Sequence, residues 1–183
     1  MHADLLAAGR IPDPYYRDNE DRLQWIGERD WRYTRRFTVP AALLAHEVVR
    51  LRCHGLDTLA TITLNGHEVA CTDNMYRTWD FDVKALLVAG ENEITVTFAS
   101  VLAYIAARRQ EHPLASWSGP KETQGRAWVR KEPCNFGWDW GPALVACGIW
   151  RDIELVAFST ARLADVQILQ DHSTAGSVTL TVN

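Results

Sequence analysis

No stretch of this sequence is apolar for long enough to cross a membrane as a helix, and its first residues lack the basic-then-apolar order of a signal peptide. The expected location is the cytoplasm, with no membrane partner. Positive charge is not in excess either: 19 Lys and Arg stand against 23 Asp and Glu, a formal net charge of −4. That balance excludes nucleic acid as a partner, because phosphate binding calls for clustered cations. The nearest approach to a basic run, Arg32, Arg35 and Arg36, is interleaved with Tyr33 and Thr34 on an apparent strand and reads as a solvated face. Cysteine is sparse, with four residues, Cys53, Cys71, Cys134 and Cys147, and no C-x-x-C pair. There is thus no zinc signature, and a chain of this size folds without disulfides, so free thiols in a reducing compartment are expected. The six histidines fall in no H-x-x-x-H or H-E-x-x-H frame, which leaves no metal to assign.

Tryptophan, by contrast, is plentiful, with eight residues. An indole needs a large apolar berth and a partner for its N–H, and core packing is the plainer account of such residues. Carbohydrate sites also use them, because the C–H face of a sugar packs on an aromatic ring. The 183 residues, 47% apolar and 23% charged, are ordinary for a globular chain and give room for one good domain with part of a second.

The dominant pattern is period two. Trp31, Tyr33, Phe37 and Val39 alternate with Arg32, Thr34, Arg36 and Thr38. Val49, Leu51 and Cys53 alternate with arginines, and Ala60, Ile62 and Leu64 with threonines. Asn65-Gly66 follows, a hairpin signal because a type I′ turn needs positive φ at both central residues, and Val69 belongs to the return strand. Further strands are expected at Trp79 to Val83, Ile94 to Phe98, and Ile153 to Leu155. Many short alternating strands imply two antiparallel sheets packed as a sandwich. One helix is expected, capped by Ser100 and running over 101–110.

Between Glu111 and Gly148 the alternation stops. This stretch holds Pro113, Pro120, Pro133 and Pro142 together with Trp117, Trp128, Trp138 and Trp140. A long irregular segment inside a compact domain is more often functional than idle, so a site is sought here. Alternation resumes at Val166 and Ile168, and again at Val178, Leu180 and Val182, with a polar turn between. One hairpin cannot bury a sheet face. The pattern still runs at Asn183, and Met1-His2-Ala3-Asp4 opens straight into Leu5 and Leu6, so a piece of a longer protein is expected.

Three blocks carry a resemblance. The first is Asp4 to Tyr16 (DLLAAGRIPDPYY) with Trp25 to Trp31 (WIGERDW). The second is Leu51 to Gly66 (LRCHGLDTLATITLNG) with Asn74-Met75-Tyr76-Arg77 and Phe81-Asp82-Val83. The third is Arg130 to Pro142 (RKEPCNFGWDWGP) with Gly148-Ile149-Trp150-Arg151. Together they resemble the N-terminal region of the β-mannosidases in glycoside hydrolase family 2. The middle block is shared across that wider family, whereas the first and third are specific to the mannosidase branch.

The resemblance implies an all-β chain: a galactose-binding-like jelly-roll sandwich over residues 1–158, then a linker and the first strands of an immunoglobulin-like sandwich over 159–183. It also implies a (β/α)8 barrel beyond Asn183 that carries both catalytic glutamates. Retaining glycosidases need two carboxyl groups about 5–5.5 Å apart; no residue here takes either role, so the chain alone is expected to be inactive. No cofactor or metal is implied. The partners implied are a β-mannoside substrate and the chain's own barrel.

Within the third block the resemblance implies substrate contacts from Asp139 and Trp138, with Asn135 and Arg130 in the same motif. Asp139 would accept hydrogen bonds from sugar hydroxyls, and Trp138 would wall the pocket. Read from spacing alone, Asp139 equally caps a turn while the tryptophans fill core. Two other functions stay open: a stand-alone carbohydrate-binding module, and a purely structural sandwich of another family 2 β-glycosidase, such as an exo-glucosaminidase or a β-galactosidase.

Overall fold

Alternating side chains become the two faces of pleated strands in the computed structural model, which describes residues 1–114 and 126–183. Trp117 and Pro120, within the irregular stretch, lie outside the described residues. Two short helices, α1 (His2–Ala7) and α2 (Asn19–Arg22), precede strand β1 (Trp31–Val39). After the one-turn helix α3 (Ala41–Leu44) come β2 (Val48–Cys53), β3 (Leu56–Asp57), β4 (Ala60–Leu64), β5 (His67–Thr72), β6 (Trp79–Asp82) and β7 (Gly90–Phe98). Helix α4 (Val101–Glu111) follows, then a long loop over 126–147, and the chain continues through β8 (Gly148–Ile149), β9 (Ile153–Phe158), β10 (Ile168–Asp171) and β11 (Thr179–Val182).

The strands form an all-β antiparallel sandwich. One sheet has the order β1-β7-β4-β5 and the other β6-β2-β9, with β3 and β8 pairing separately. The core lies between them, where Leu51 and Cys53 of β2 meet Ile62 and Leu64 of β4 and Val96 and Phe98 of β7. The sandwich closes where β5 touches β6. At the opposite margin, between β1 and β9, it stays open as a cleft of about 760 Å³ floored by Leu51, Ile94, Val96, Ile153 and Leu155.

The three arginines of β1 are all exposed, as the sequence reads them. Arg32 and Arg36 lie on an exposed face, where Arg36 pairs with Glu93 at 3.2 Å. Arg35 is exposed as well, and with the parity of Tyr33 and Phe37 it lines the cleft. A charge on the inward face of an edge strand is one way such an edge resists pairing with another chain.

The Asn65-Gly66 turn forms as the sequence predicts, with φ of 51° and 81° and Leu64 paired to His67. The Asn65 amide donates to the Asn92 side chain at 2.8 Å and to the Leu86 carbonyl at 2.8 Å. Ser100 caps α4 by accepting from the Ala103 N–H at 3.3 Å. Helix α4 then buries Val101 and Ile105 against Val129, Phe136 and Val145, and so forms the base beneath the long loop. Beyond β9, Arg162 reaches Asp80 at 3.3 Å and the Thr160 N–H donates to Glu47 at 3.0 Å, pinning the segment to the sandwich. The β10–β11 hairpin forms a separate sheet in which every residue is exposed.

Candidate functional site

The loop over 126–147 is built on buried anchors. Arg130 bridges to Asn74, and its carbonyl accepts from the Met75 N–H at 3.0 Å. Lys131 then turns inward, its side chain 0% exposed, and pairs with the carboxylate of Asp57 on β3. The Thr58 hydroxyl donates to the other oxygen of that carboxylate. Removing one partner of such a pair strands a buried charge and is strongly destabilising. Asp57 also stands opposite Gly148 in the β3–β8 ladder. One residue therefore holds both feet of the loop, by its carboxylate at Lys131 and by its backbone at Gly148.

Above these feet, Pro133–Phe136 forms a 3-10 turn that buries Phe136. Gly137 follows at φ 87°, and a Cβ built there would lie 3.0 Å from the Cβ of Ala143, so both backbone and space require glycine. The chain then reverses at Trp138–Gly141, whose backbones exchange hydrogen bonds of 3.0 and 3.3 Å. Asp139 and Trp140 sit at the tip.

The geometry of the tip is open. Trp138 is 49% exposed and Trp140 75% exposed, with ring centroids 6.4 Å apart and planes tilted by 54°. The Arg126 guanidinium lies 5.4 Å from the centre of the Trp138 ring. The exposed Asp139 carboxylate makes no hydrogen bond or ion pair among the described residues, so it caps no turn, and neither flanking indole is core. Arg130 is likewise exposed, with no side-chain partner among the described residues. Asn135 donates to Glu132 at 2.9 Å, while its own carbonyl oxygen is buried with no partner. Burial pushes the Glu132 carboxyl above its ordinary range; the charge of Asp57 adds to this, while Lys131 and the Asn135 hydrogen bond oppose it.

Of the four residues singled out from sequence, Trp138 and Asp139 share the tip, Asn135 lies in the turn below it, and Arg130 stands in the ascending limb. The buttress was not legible. Asp57 is 74 residues from Lys131 in sequence. Glu20 and Gln24, which grip Ala143, are 123 and 119 residues from it. No local spacing signals contacts of that range. Chemically, the tip offers a charged acceptor between two apolar faces, which suits a ring bearing both hydroxyls and C–H surfaces.

This antiparallel sandwich is a galactose-binding-like domain. The chain belongs to the glycosyl hydrolase 2 galactose-binding domain-like family, whose model matches residues 1–151. It is 37% identical over 180 residues to a protein named β-mannosidase B from Neosartorya fischeri, covering 96% of this chain and 21% of that one. It is 40% identical over 159 residues to β-mannosidase A from Emericella nidulans, covering 85% of this chain and 17% of the relative. The crystal structure of a β-D-mannosidase from Dictyoglomus thermophilum superposes with a TM-score of 0.93 at 37% identity, over 100% of this chain and 22% of the other. The chain thus spans about a fifth of the length of the relatives it matches.

Proposed function

We propose that this chain is the N-terminal part of a retaining exo-β-mannosidase that removes terminal β-mannose, and that it contributes a wall of the sugar pocket rather than the catalytic pair. The observation that carries the reading is the Asp139 carboxylate, exposed between two exposed indoles and unbonded among the described residues. A buried structural aspartate would have its oxygens satisfied; this one has its acceptor capacity free for a ligand. The names of the relatives supply the sugar, since they are β-mannosidases.

In this reading Asp139 accepts hydrogen bonds from hydroxyls of the terminal sugar, and Trp138 packs against its ring. Asn135 and Arg130, of the same motif, add polar contacts at its margin. The two catalytic carboxylates belong to a barrel outside this chain, which makes the chain inactive alone. Residues 159–183 open a second, immunoglobulin-like domain; the separate, fully exposed β10–β11 sheet supports that division. The four unpaired thiols suit a reducing compartment such as the cytoplasm.

The test compares the full-length enzyme with the 183-residue chain on nitrophenyl β-mannoside, with calorimetry of the chain against mannose. Turnover by the full-length enzyme, with neither turnover nor saturable heat from the chain, is the expected result. Saturable sugar binding by the chain alone would make it an independent carbohydrate-binding module. Full-length activity confined to β-glucosaminides or β-galactosides would reassign the substrate.

A further inference from the structure

The turn that carries Asp139 is gripped from behind by side chains of the N-terminal segment. Ala143, four residues after Asp139 in the descending limb, is buried, and both polar groups of its backbone bond to side chains. Its N–H donates to Glu20 Oε1 at 2.6 Å, and its carbonyl accepts from Gln24 Nε2 at 2.7 Å. Gln24 also donates to the Glu20 backbone carbonyl at 3.0 Å, which holds the Gln24 side chain against the turn that carries Glu20. The pair imitates a neighbouring strand, bonding one residue through both its donor and its acceptor.

The grip has a rigid mount. Leu23 and Ile26 are buried with Ile11 against Trp31, and the Trp31 indole N–H donates to the Ile26 carbonyl at 2.9 Å. The Ser100 hydroxyl donates to the Gly27 carbonyl at 2.7 Å, tying the same segment to the start of α4. Gly27 lies against Val145, where an added Cβ would meet the valine Cβ at 3.0 Å. On the other side of Ala143, its Cβ faces Gly137 across the stem of the turn. A displacement of Ala143 is therefore passed directly to Trp138 and Asp139.

We propose that Glu20 and Gln24 are positioning residues for sugar recognition, setting the height and angle at which Asp139 is presented. This rests on the reading above that Asp139 contacts the substrate. Placement within a fraction of an ångström matters for such contacts, since about 1 Å of misplacement costs on the order of a hundredfold in rate. Neither residue touches the sugar; both act through the Ala143 peptide.

The test measures kcat and KM on nitrophenyl β-mannoside for the full-length enzyme and its Glu20→Ala, Gln24→Ala, Glu20→Gln and Asp139→Ala variants, each with its thermal midpoint. Both clamp alanine variants are expected to lose about tenfold or more in kcat/KM, with midpoints within a few degrees of the native one. Glu20→Gln keeps an oxygen that accepts from the Ala143 N–H and is expected to retain most activity. Adding Asp139→Ala to either alanine variant is expected to cost much less than it costs alone, because the clamp acts through that carboxylate. Should Glu20→Ala unfold, the near-isosteric Gln24→Glu reads the same contact, replacing the donor with an acceptor at similar volume. Clamp variants with native kcat/KM, beside a crippled Asp139→Ala, would overturn the inference while leaving the proposed function standing. Fully additive losses would overturn it too. A native-like Asp139→Ala would remove the underlying reading and this inference with it.

Discussion

Glu132 carries a cost that its neighbours only partly offset. The fold holds its pKa above the ordinary carboxylate value, chiefly through burial, so between the unfolded and folded values the native state binds the extra proton. The associated stability is therefore full below the unfolded value, about 4.3, and is lost as pH rises through the folded one. Glu132→Gln keeps an acceptor for Asn135 and removes the titration. Its advantage in urea midpoint over the native chain is expected to grow as pH is raised from about 4 toward neutrality. Parallel midpoint curves for the two proteins would show that Glu132 is not the strained carboxylate. At the same scale, Lys131 and Asp57 illustrate what a sequence hides: Lys131 stands in a visibly charged motif, yet nothing local marks it as the buried partner of a residue on another strand.

Strands and turns show where local pattern suffices. Each predicted run of alternation corresponds to a strand, because parity alone decides which side chains face the core. The Asn65-Gly66 turn was equally legible, since few other residue pairs accept its backbone angles. Strands β3 and β8, of two residues each, left no periodic trace, although they carry Asp57 and close the long loop. The site was half legible: the glycines and proline around Trp138-Asp139-Trp140 mark a tight turn, whereas its support comes from helices α2 and α4 through contacts distant in sequence. One supporting network invites a direct measurement. The buried Asn92 side chain donates to the Val88 carbonyl at 2.7 Å and the Gly90 carbonyl at 3.0 Å, and accepts from the Val88 N–H at 2.9 Å. Asn92→Ala orphans these groups and is expected to cost about 2–4 kcal/mol in urea unfolding at an unchanged m-value. A loss below about 0.5 kcal/mol would mean that water replaces the amide there.

For the molecule as a whole, the β10–β11 hairpin and its approach are the least settled surface. Leu163, Ile168, Leu180 and Val182 are all more than half exposed, and among the described residues no second layer covers the two strands. The isolated chain is expected to self-associate with rising concentration in sedimentation velocity, and Ile168→Ser with Leu180→Ser to suppress it. A native chain that stays monomeric at high concentration would contradict this. The proposed role of this sandwich depends on Asp139, and the measurement that reaches it most directly is hydrolysis of nitrophenyl β-mannoside by the full-length enzyme, native beside Asp139→Ala. Loss of one charged hydrogen bond that strengthens in the transition state is expected to cost about 2–4 kcal/mol, roughly thirty- to a thousandfold in kcat/KM, with the fold intact. An active native enzyme and an equally active Asp139→Ala variant would instead make this sandwich a buttress that touches no sugar.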